Sequence, residues 1–343
     1  MSQINFRSDN VAPVSEAVVR AILAVNEGPA SSYGADAVTQ RLQDNFSRLF
    51  ETKVRVFPVS TGTAANALSL SALAPPYGAI YCSDVGHIND SECGAAEFFT
   101  GGAKIVPLPA TNGRLAAATL ESAIAKAGIG NTGKVQPAAI SLTEATERGT
   151  LYKVDEVKAL AAIAKRYRLK VHMDGARFAN AVAALGVTPA ELTWKAGVDV
   201  LSFGATKNGA MSAEGIVVFD LSLADDLAYR CRRAGQVHSK MRFISAQLDA
   251  FVADGLWLGL ARQANAMAAR LSAGLVALPG VELLYPTEIN EVFVRLPQKM
   301  IKGLDDQGFG ILDRGEGMVR LVTAFNVTAA DVDTFLVAAR GLA

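Results

Sequence analysis

Between about residues 54 and 219 the chain alternates short apolar runs with stretches of helical periodicity, and this alternation is what most restricts its fold. Strand runs are read at 54–59 (VRVFPV), 79–82 (AIYC), 104–108 (KIVPL), 138–142 (AAISL), 169–174 (LKVHMD), 198–203 (VDVLSF) and 215–219 (GIVVF). Before the run at 169–174, Val157, Leu160, Ala161, Ala164 and Tyr167 recur at offsets of three and four, which predicts an amphipathic helix over 154–168. Strands that alternate with helices form a parallel sheet with crossover connections, so the expected class is α/β with a mostly parallel sheet of seven or so strands.

After about residue 245 the texture changes to an Ala/Leu-rich helical stretch (245–277), short strands near 280–284, 291–296 and 318–322, and a closing helix from Ala329, which is read as a smaller α+β lobe. A length of 343 residues suits two domains. The expected division is an N-terminal segment 1–28 packing with the small domain, a large domain 29–245 and a small domain 246–343.

The 33 basic side chains cancel the 33 acidic ones and half of the residues are apolar, which argues against disorder and against nucleic acid as a partner. No run approaches 18 uninterrupted apolar residues, and the start MSQINFRSDN has neither a basic nor an apolar leader region. A cytoplasmic protein without a membrane span is expected. Cys82, Cys93 and Cys231 form no C-x-x-C pair and His87, His172 and His238 stand apart, so neither a disulfide framework nor a metal site is expected.

GIGNTG at 128–133, followed by Lys134, imitates a phosphate-binding loop. Such loops need a strand before and a helix after, because the helix N-terminus supplies the amides. Here a helix precedes (LESAIAKA) and a strand follows, and Val135 stands where a magnesium-binding hydroxyl belongs, so the segment reads as a helix-to-strand turn. Ser60, Thr61, Gly62 and Thr63 have the right order: strand 54–59 enters and a helix leaves, which makes an anion site. Asp174 ends a strand at the carboxyl edge where open α/β sheets bind ligands, and Arg177 follows as a group able to grip a carboxylate. In SFGATKNG, Lys207 sits in a Gly-flanked turn whose small neighbours admit a bulky group, and desolvation there favours a neutral, nucleophilic amine. Taken singly, these are also a helix cap, a solvated helix face and a loop lysine.

Together, a helix-terminus anion site, an acid at a strand end and a turn lysine are what pyridoxal phosphate requires: phosphate anchor, pyridinium partner and Schiff base. The chain resembles the low-specificity L-threonine aldolases, in the aspartate-aminotransferase-like fold of type I pyridoxal-phosphate enzymes. The resemblance runs through FRSDNVAPVSEAV, SSYGADAVTQRLQ, STGTAAN, HMDGARFANA, SFGATKNG, SKMRF and VRLVTAFNVT. It implies that Lys207 forms the Schiff base, that Asp174 meets the pyridine nitrogen, that Thr61, Gly62 and Thr63 cradle the phosphate and that His87 stacks on the ring. It further implies that Ser8, Arg177 and Arg320 bind the substrate carboxylate, with Arg177 also near the phenolic oxygen of the cofactor. Tyr33 and Arg242 would close the site near the phosphate across a subunit boundary, in a homo-oligomer, dimer or tetramer, with shared sites.

Where many family members read ENTHN, this chain reads EATER, so Glu147 stands in the place of a histidine near the substrate hydroxyl. The catalytic base is then His87 or Glu147. The expected reaction is retro-aldol cleavage of L-threonine, L-allo-threonine or a related β-hydroxy-α-amino acid, phenylserine included, to glycine and an aldehyde. Three alternatives stand beside it: a β-elimination or transamination on the same fold, nucleotide binding through GIGNTGK, and a non-catalytic cofactor-binding regulator. The last would need an appended DNA-binding module or basic tail, and none is seen.

Overall fold

The computed structural model describes residues 4–343, so the first three residues of the N-terminal segment lie outside it. Its centre is a seven-stranded sheet: β1 Arg55–Val59, β2 Gly78–Ser83, β3 Lys104–Leu108, β4 Gln136–Thr143, β5 Lys170–Gly175, β6 Val200–Gly204 and β7 Glu214–Val218. The strand order is β1-β7-β6-β5-β4-β2-β3. All pairings are parallel except those of β7, which runs against both neighbours. Strands β2, β6 and β7 are buried at every position, the burial expected of a sheet covered on both faces by helices. The predicted helix before β5 is Val154–Arg166. GIGNTGK lies between the helix Ala117–Ala125 and β4, and the amide of Gly130 donates to Gln136 Oε1, so the segment is the predicted helix-to-strand turn.

Because β1, β4, β5 and β6 run the same way, their carboxyl ends, at Val59, Thr143, Gly175 and Gly204, line one edge. Close backbone approach tightens that edge. A Cβ on Gly204 would stand 2.5 Å from the Ala176 carbonyl oxygen, so only glycine lets the turn after β5 rest on the end of β6. Below it, Phe46, Phe50, Phe178, Phe203, Phe251 and Trp257 pack with ring centroids between 5.1 and 6.4 Å. Most meet edge-on or tilted, the arrangement the ring quadrupole favours.

The apolar stretch expected at 245–277 is two helices, Arg242–Val252 and Leu256–Val276, parted by a turn at Ala253–Gly255 where Asp254 takes φ 51°. By length and composition Arg242–Val276 is apolar enough to cross a membrane. Its apolar side chains are instead spent on two cores: Leu248, Phe251, Trp257 and Ala261 on that of the central sheet, Ala268, Leu271 and Leu275 on that of the C-terminal lobe. The changeover between cores therefore falls within the second helix, beyond residue 246. The lobe is a four-stranded sheet of Glu282–Leu283, Glu291–Arg295, Met318–Val322 and the unforeseen Leu312–Asp313, closed by the helix Ala329–Leu342. The N-terminal segment touches both units. Phe6 lies in the lobe's core and its carbonyl accepts from Val322, while the Ser15 amide donates to the Gly209 carbonyl in the lysine turn at 2.8 Å.

Candidate active site

At the carboxyl edge, β1 ends and the helix Gly62–Leu73 begins with Thr61 as its cap, whose Oγ1 accepts from the Ala64 amide at 3.1 Å. That leaves the first-turn amides free to meet an anion. A Cβ on Gly62 would meet nothing within 4 Å, so the helix start is open. The preceding loop is braced by two residues that no sequence motif marked. Gln236 Oε1 accepts from the amide and hydroxyl of Ser60, both at 3.1 Å, and Ser212 donates to the Ser60 carbonyl at 2.7 Å.

Asp174, next to the last residue of β5, has both oxygens engaged: Oδ1 accepts from the Ala176 amide at 3.0 Å and Oδ2 from Asn66 Nδ2 at 2.8 Å. The Asn66 nitrogen also donates to Glu92 Oε1 at 2.8 Å, and that oxygen lies 2.8 Å from His87 Nδ1. The hydrogen bond to Glu92 raises His87 above its ordinary 6.5 against the opposing effect of burial. Beneath Asp174, His172 spans Ser141 and Ser202 at 2.8 and 2.9 Å, and burial pushes it down to about 4, so it is neutral at pH 7.

Lys207 sits in the turn Thr206–Asn208, half-buried. Asn208 anchors the turn by donating to the Trp257 carbonyl at 2.9 Å, and Gly209, at φ 107°, closes it. Glu214 lies against its base, accepting from the Ala205 amide at 2.9 Å, and burial raises its carboxyl to about 7.

These groups enclose a cavity of about 370 Å³ lined by Thr61, Gly62, Thr63, His87, Glu147, Asp174, Arg177 and Lys207, among others. A second cavity of about 410 Å³ shares Asn10, His87, Glu147, Arg177 and Lys207 with it and adds Ser8, Arg148, Arg314 and Arg320. Ten of the twelve residues proposed from sequence thus line one continuous hollow. Tyr33 and Arg242 do not. Tyr33 is half exposed under the Arg232 guanidinium, 4.8 Å from the ring centre, and Arg242 donates to the Val25 carbonyl at 3.0 Å.

The arginines are not equivalent. Arg177 is buried and already gripped by Asp9, at 2.8 and 3.1 Å, and by Glu291 at 3.3 Å. Arg320 reaches Glu291 at 3.5 Å and the Arg7 carbonyl at 3.2 Å, and its Nε is buried without a partner. Burial and repulsion from Arg177 and Arg314 lower its proton affinity, so an incoming anion relieves Arg320 more than Arg177. Glu147 Oε1 accepts from the His87 amide at 2.7 Å and the Thr143 hydroxyl at 2.8 Å, while Oε2 is buried and unpartnered. Burial raises this carboxyl to about 7.

The donor set fits pyridoxal phosphate: open amides for a phosphate, a braced carboxylate for a ring nitrogen, an amine and an imidazole, all lining one cavity. His87, Glu92 and Asp174 are the one His/acid cluster among the described residues with ligand atoms close enough to share a cation. Asn66 already bridges the two carboxylates, so hydrogen bonds account for their closeness.

Comparison with known proteins agrees with this geometry. The family model described as beta-eliminating lyase matches residues 5–298. The chain is 42% identical to the low specificity L-threonine aldolase of a Pseudomonas species over 95% of this chain and 94% of the relative. It is 44% identical to the one from Pseudomonas aeruginosa over 94% and 92%. A solved structure of Leishmania major threonine aldolase superposes with a TM-score of 0.92 at 27% identity, covering 99% of this chain and all of the other. The chain belongs to the beta-eliminating lyase family and, within it, to the low-specificity L-threonine aldolases.

Proposed function

We propose that the chain uses pyridoxal phosphate to cleave L-threonine, L-allo-threonine and related L-β-hydroxy-α-amino acids, phenylserine included, to glycine and an aldehyde, as a cytoplasmic homo-oligomer. The observation that carries this reading is the meeting of Lys207, Asp174, the open helix start at Gly62 and the proton-handling pair His87 and Glu147 in one hollow. When bound, the cofactor supplies the electron sink that makes Cα–Cβ cleavage accessible.

The chain's own residues do the rest. The amides of the helix start at Gly62 and Thr63, with the cap Thr61, would hold the phosphate, and Lys207 would supply the amine to which the cofactor attaches. Asp174, fixed by Asn66 and the Ala176 amide, keeps a proton on the pyridine nitrogen. Arg320 takes the substrate carboxylate with Ser8 in the same cavity, and Arg177, held in place by Asp9 and sharing Glu291 Oε1 with Arg320, adds its charge beside it. This grip on the carboxylate would fix the orientation of the substrate, which decides that the Cα–Cβ bond is the one to break. His87 Nε2 takes the β-hydroxyl proton, and Glu147 walls the space for the β-substituent.

A product assay tests the reading. Purified protein with the cofactor and L-threonine should release glycine and acetaldehyde in equal amounts. Ammonia with a keto acid would mark elimination, and amino transfer to an added keto acid would mark transamination; either as the main reaction overturns the proposal.

A further inference from the structure

Glu92 lies within hydrogen-bonding reach of the site's imidazole, yet the chemistry above gives it no task. Its side chain is fully buried and its Oε1 faces both Asn66 Nδ2 and His87 Nδ1 at 2.8 Å. The Asn66 nitrogen carries two hydrogens, one directed to Glu92 and the other to Asp174 Oδ2, also at 2.8 Å. A carboxylate oxygen that already accepts from an amide offers only acceptance to the imidazole, so the hydrogen belongs on Nδ1. His87 is then left with Nε2, which has no partner among the described residues, on a ring that lines both halves of the hollow.

We propose that Glu92 is the positioning residue of His87: it fixes the Nδ1–H tautomer and the attitude of the ring so that Nε2 receives the β-hydroxyl proton, and Asn66 ties this pair to Asp174. The role assigned to Nε2 rests on the aldolase reading. The tautomer does not. Glu92 and Asp174 favour the charged imidazole, Lys207 opposes it, and Glu147 holds the residue's backbone amide. Asp84, Asp90, Arg148 and Arg177 share the adjoining cavity, and none of them is bonded to the ring. Glu92 Oε2 and Asn66 Oδ1 are buried and unpartnered, so the bridge has no further hydrogen bond to hold its geometry if Glu92 is changed. A glutamine there can turn its amide towards Nδ1 and favour the opposite tautomer.

Nitrogen-15 NMR of the imidazoles in the full-length holoenzyme is the test. In the wild type, neutral His87 should carry its hydrogen on Nδ1. In Glu92→Gln the His87 titration midpoint should fall by roughly one pH unit and the Nδ1–H form should lose its dominance. The acid limb of kcat/KM should move to lower pH with it, because the base must be neutral to accept a proton, and the plateau should drop roughly tenfold or more. Affinity for pyridoxal phosphate should change little. Glu92→Asp keeps the carboxylate and should restore much of the tautomer preference. An Nε2–H tautomer in the wild type overturns the proposal even if Glu92→Gln fails to fold, and so does an unchanged His87 titration in Glu92→Gln, whatever happens to the rate. Absence of glycine and aldehyde from the wild type would overturn the aldolase reading alone, since the tautomer is measured without turnover.

Discussion

Asp9 holds Arg177 with both carboxylate oxygens, Oδ2 to Nε at 2.8 Å and Oδ1 to Nη2 at 3.1 Å, and both side chains are buried. The pair joins the N-terminal segment to the turn after β5, and Asn290 of the C-terminal lobe donates to the same carboxylate at 3.2 Å. Burial would raise the Asp9 carboxyl, but the charges of Arg177 and Lys207 prevail and lower it below its ordinary 3.8.

Asp9→Asn leaves a buried guanidinium without its principal counter-charge, with only Glu291 remaining, and should cost about 3–5 kcal/mol of unfolding free energy at neutral pH. The sign with pH follows from the lowered value. Stability from Asp9 is present above about pH 4 and is lost as pH falls through its folded value, so the gap between wild type and variant should narrow on acidification. Urea unfolding at pH 7 and pH 3 measures both. A gap that widens towards acid would contradict the ion-pair account.

Lys207→Ala removes a half-buried side chain from a turn that Asn208, Gly209 and Ser15 hold independently, so the fold should persist with a change of roughly 1 kcal/mol or less. Covalent attachment should be abolished. Borohydride reduction of the wild type followed by peptide mapping should place the cofactor on Lys207, and a label on any other lysine would sink the assignment.

Tyr33 and Arg242 stand outside their own chain's hollow, yet Tyr33 borders a separate, third cavity that is also lined by Gln236, the residue that braces Ser60. A homo-oligomer is expected in which these side chains serve a neighbouring site. Sedimentation should show a dimer or larger at assay concentration, with specific activity falling as dilution yields monomers. A fully active monomer refutes it.

All seven strands of the sheet were legible because strands buried on both faces read as short apolar runs, and Asp174 and Lys207 stood out because one closes such a run and the other sits in the Gly-flanked turn after one. The bridge from His87 to Asp174 was not. Asn66 lies inside a helix and Glu92 in a short connection, and nothing in either segment signals that tertiary packing brings them within 2.8 Å of one another. Asp9 and Glu291 were hidden in the same way, 282 positions apart in sequence and brought together on Arg177. The break at Ala253–Gly255 was masked by Ala/Leu-rich sequence on either side, since apolar periodicity continues through a turn made by two successive positive φ angles, 51° at Asp254 and 72° at Gly255.

Glu147 stands where the sequence resemblance leads one to expect a histidine, and its geometry separates two roles. Oε1 is committed to the His87 amide and the Thr143 hydroxyl, which leaves only the buried Oε2 to meet a substrate. Glutamine can keep both accepting contacts, so Glu147→Gln should preserve the wall while removing the charge. Burial holds this carboxyl near 7, above its ordinary 4.5. Its contribution to stability is therefore full below about pH 4.5 and lost as pH rises through 7, and the variant should gain on the wild type between pH 5 and pH 8, by on the order of 2 kcal/mol. If Glu147 shapes the pocket, the variant should change the ratio of threonine to phenylserine cleavage while the better substrate keeps its rate, and the acid limb set by His87 should survive. Proton transfer through Oε2 would instead lower every cleavage rate by roughly 10² or more. The pocket role is expected, because Nε2 of His87 is free for the proton. Rates that collapse together at a fixed substrate ratio would assign the proton to Glu147.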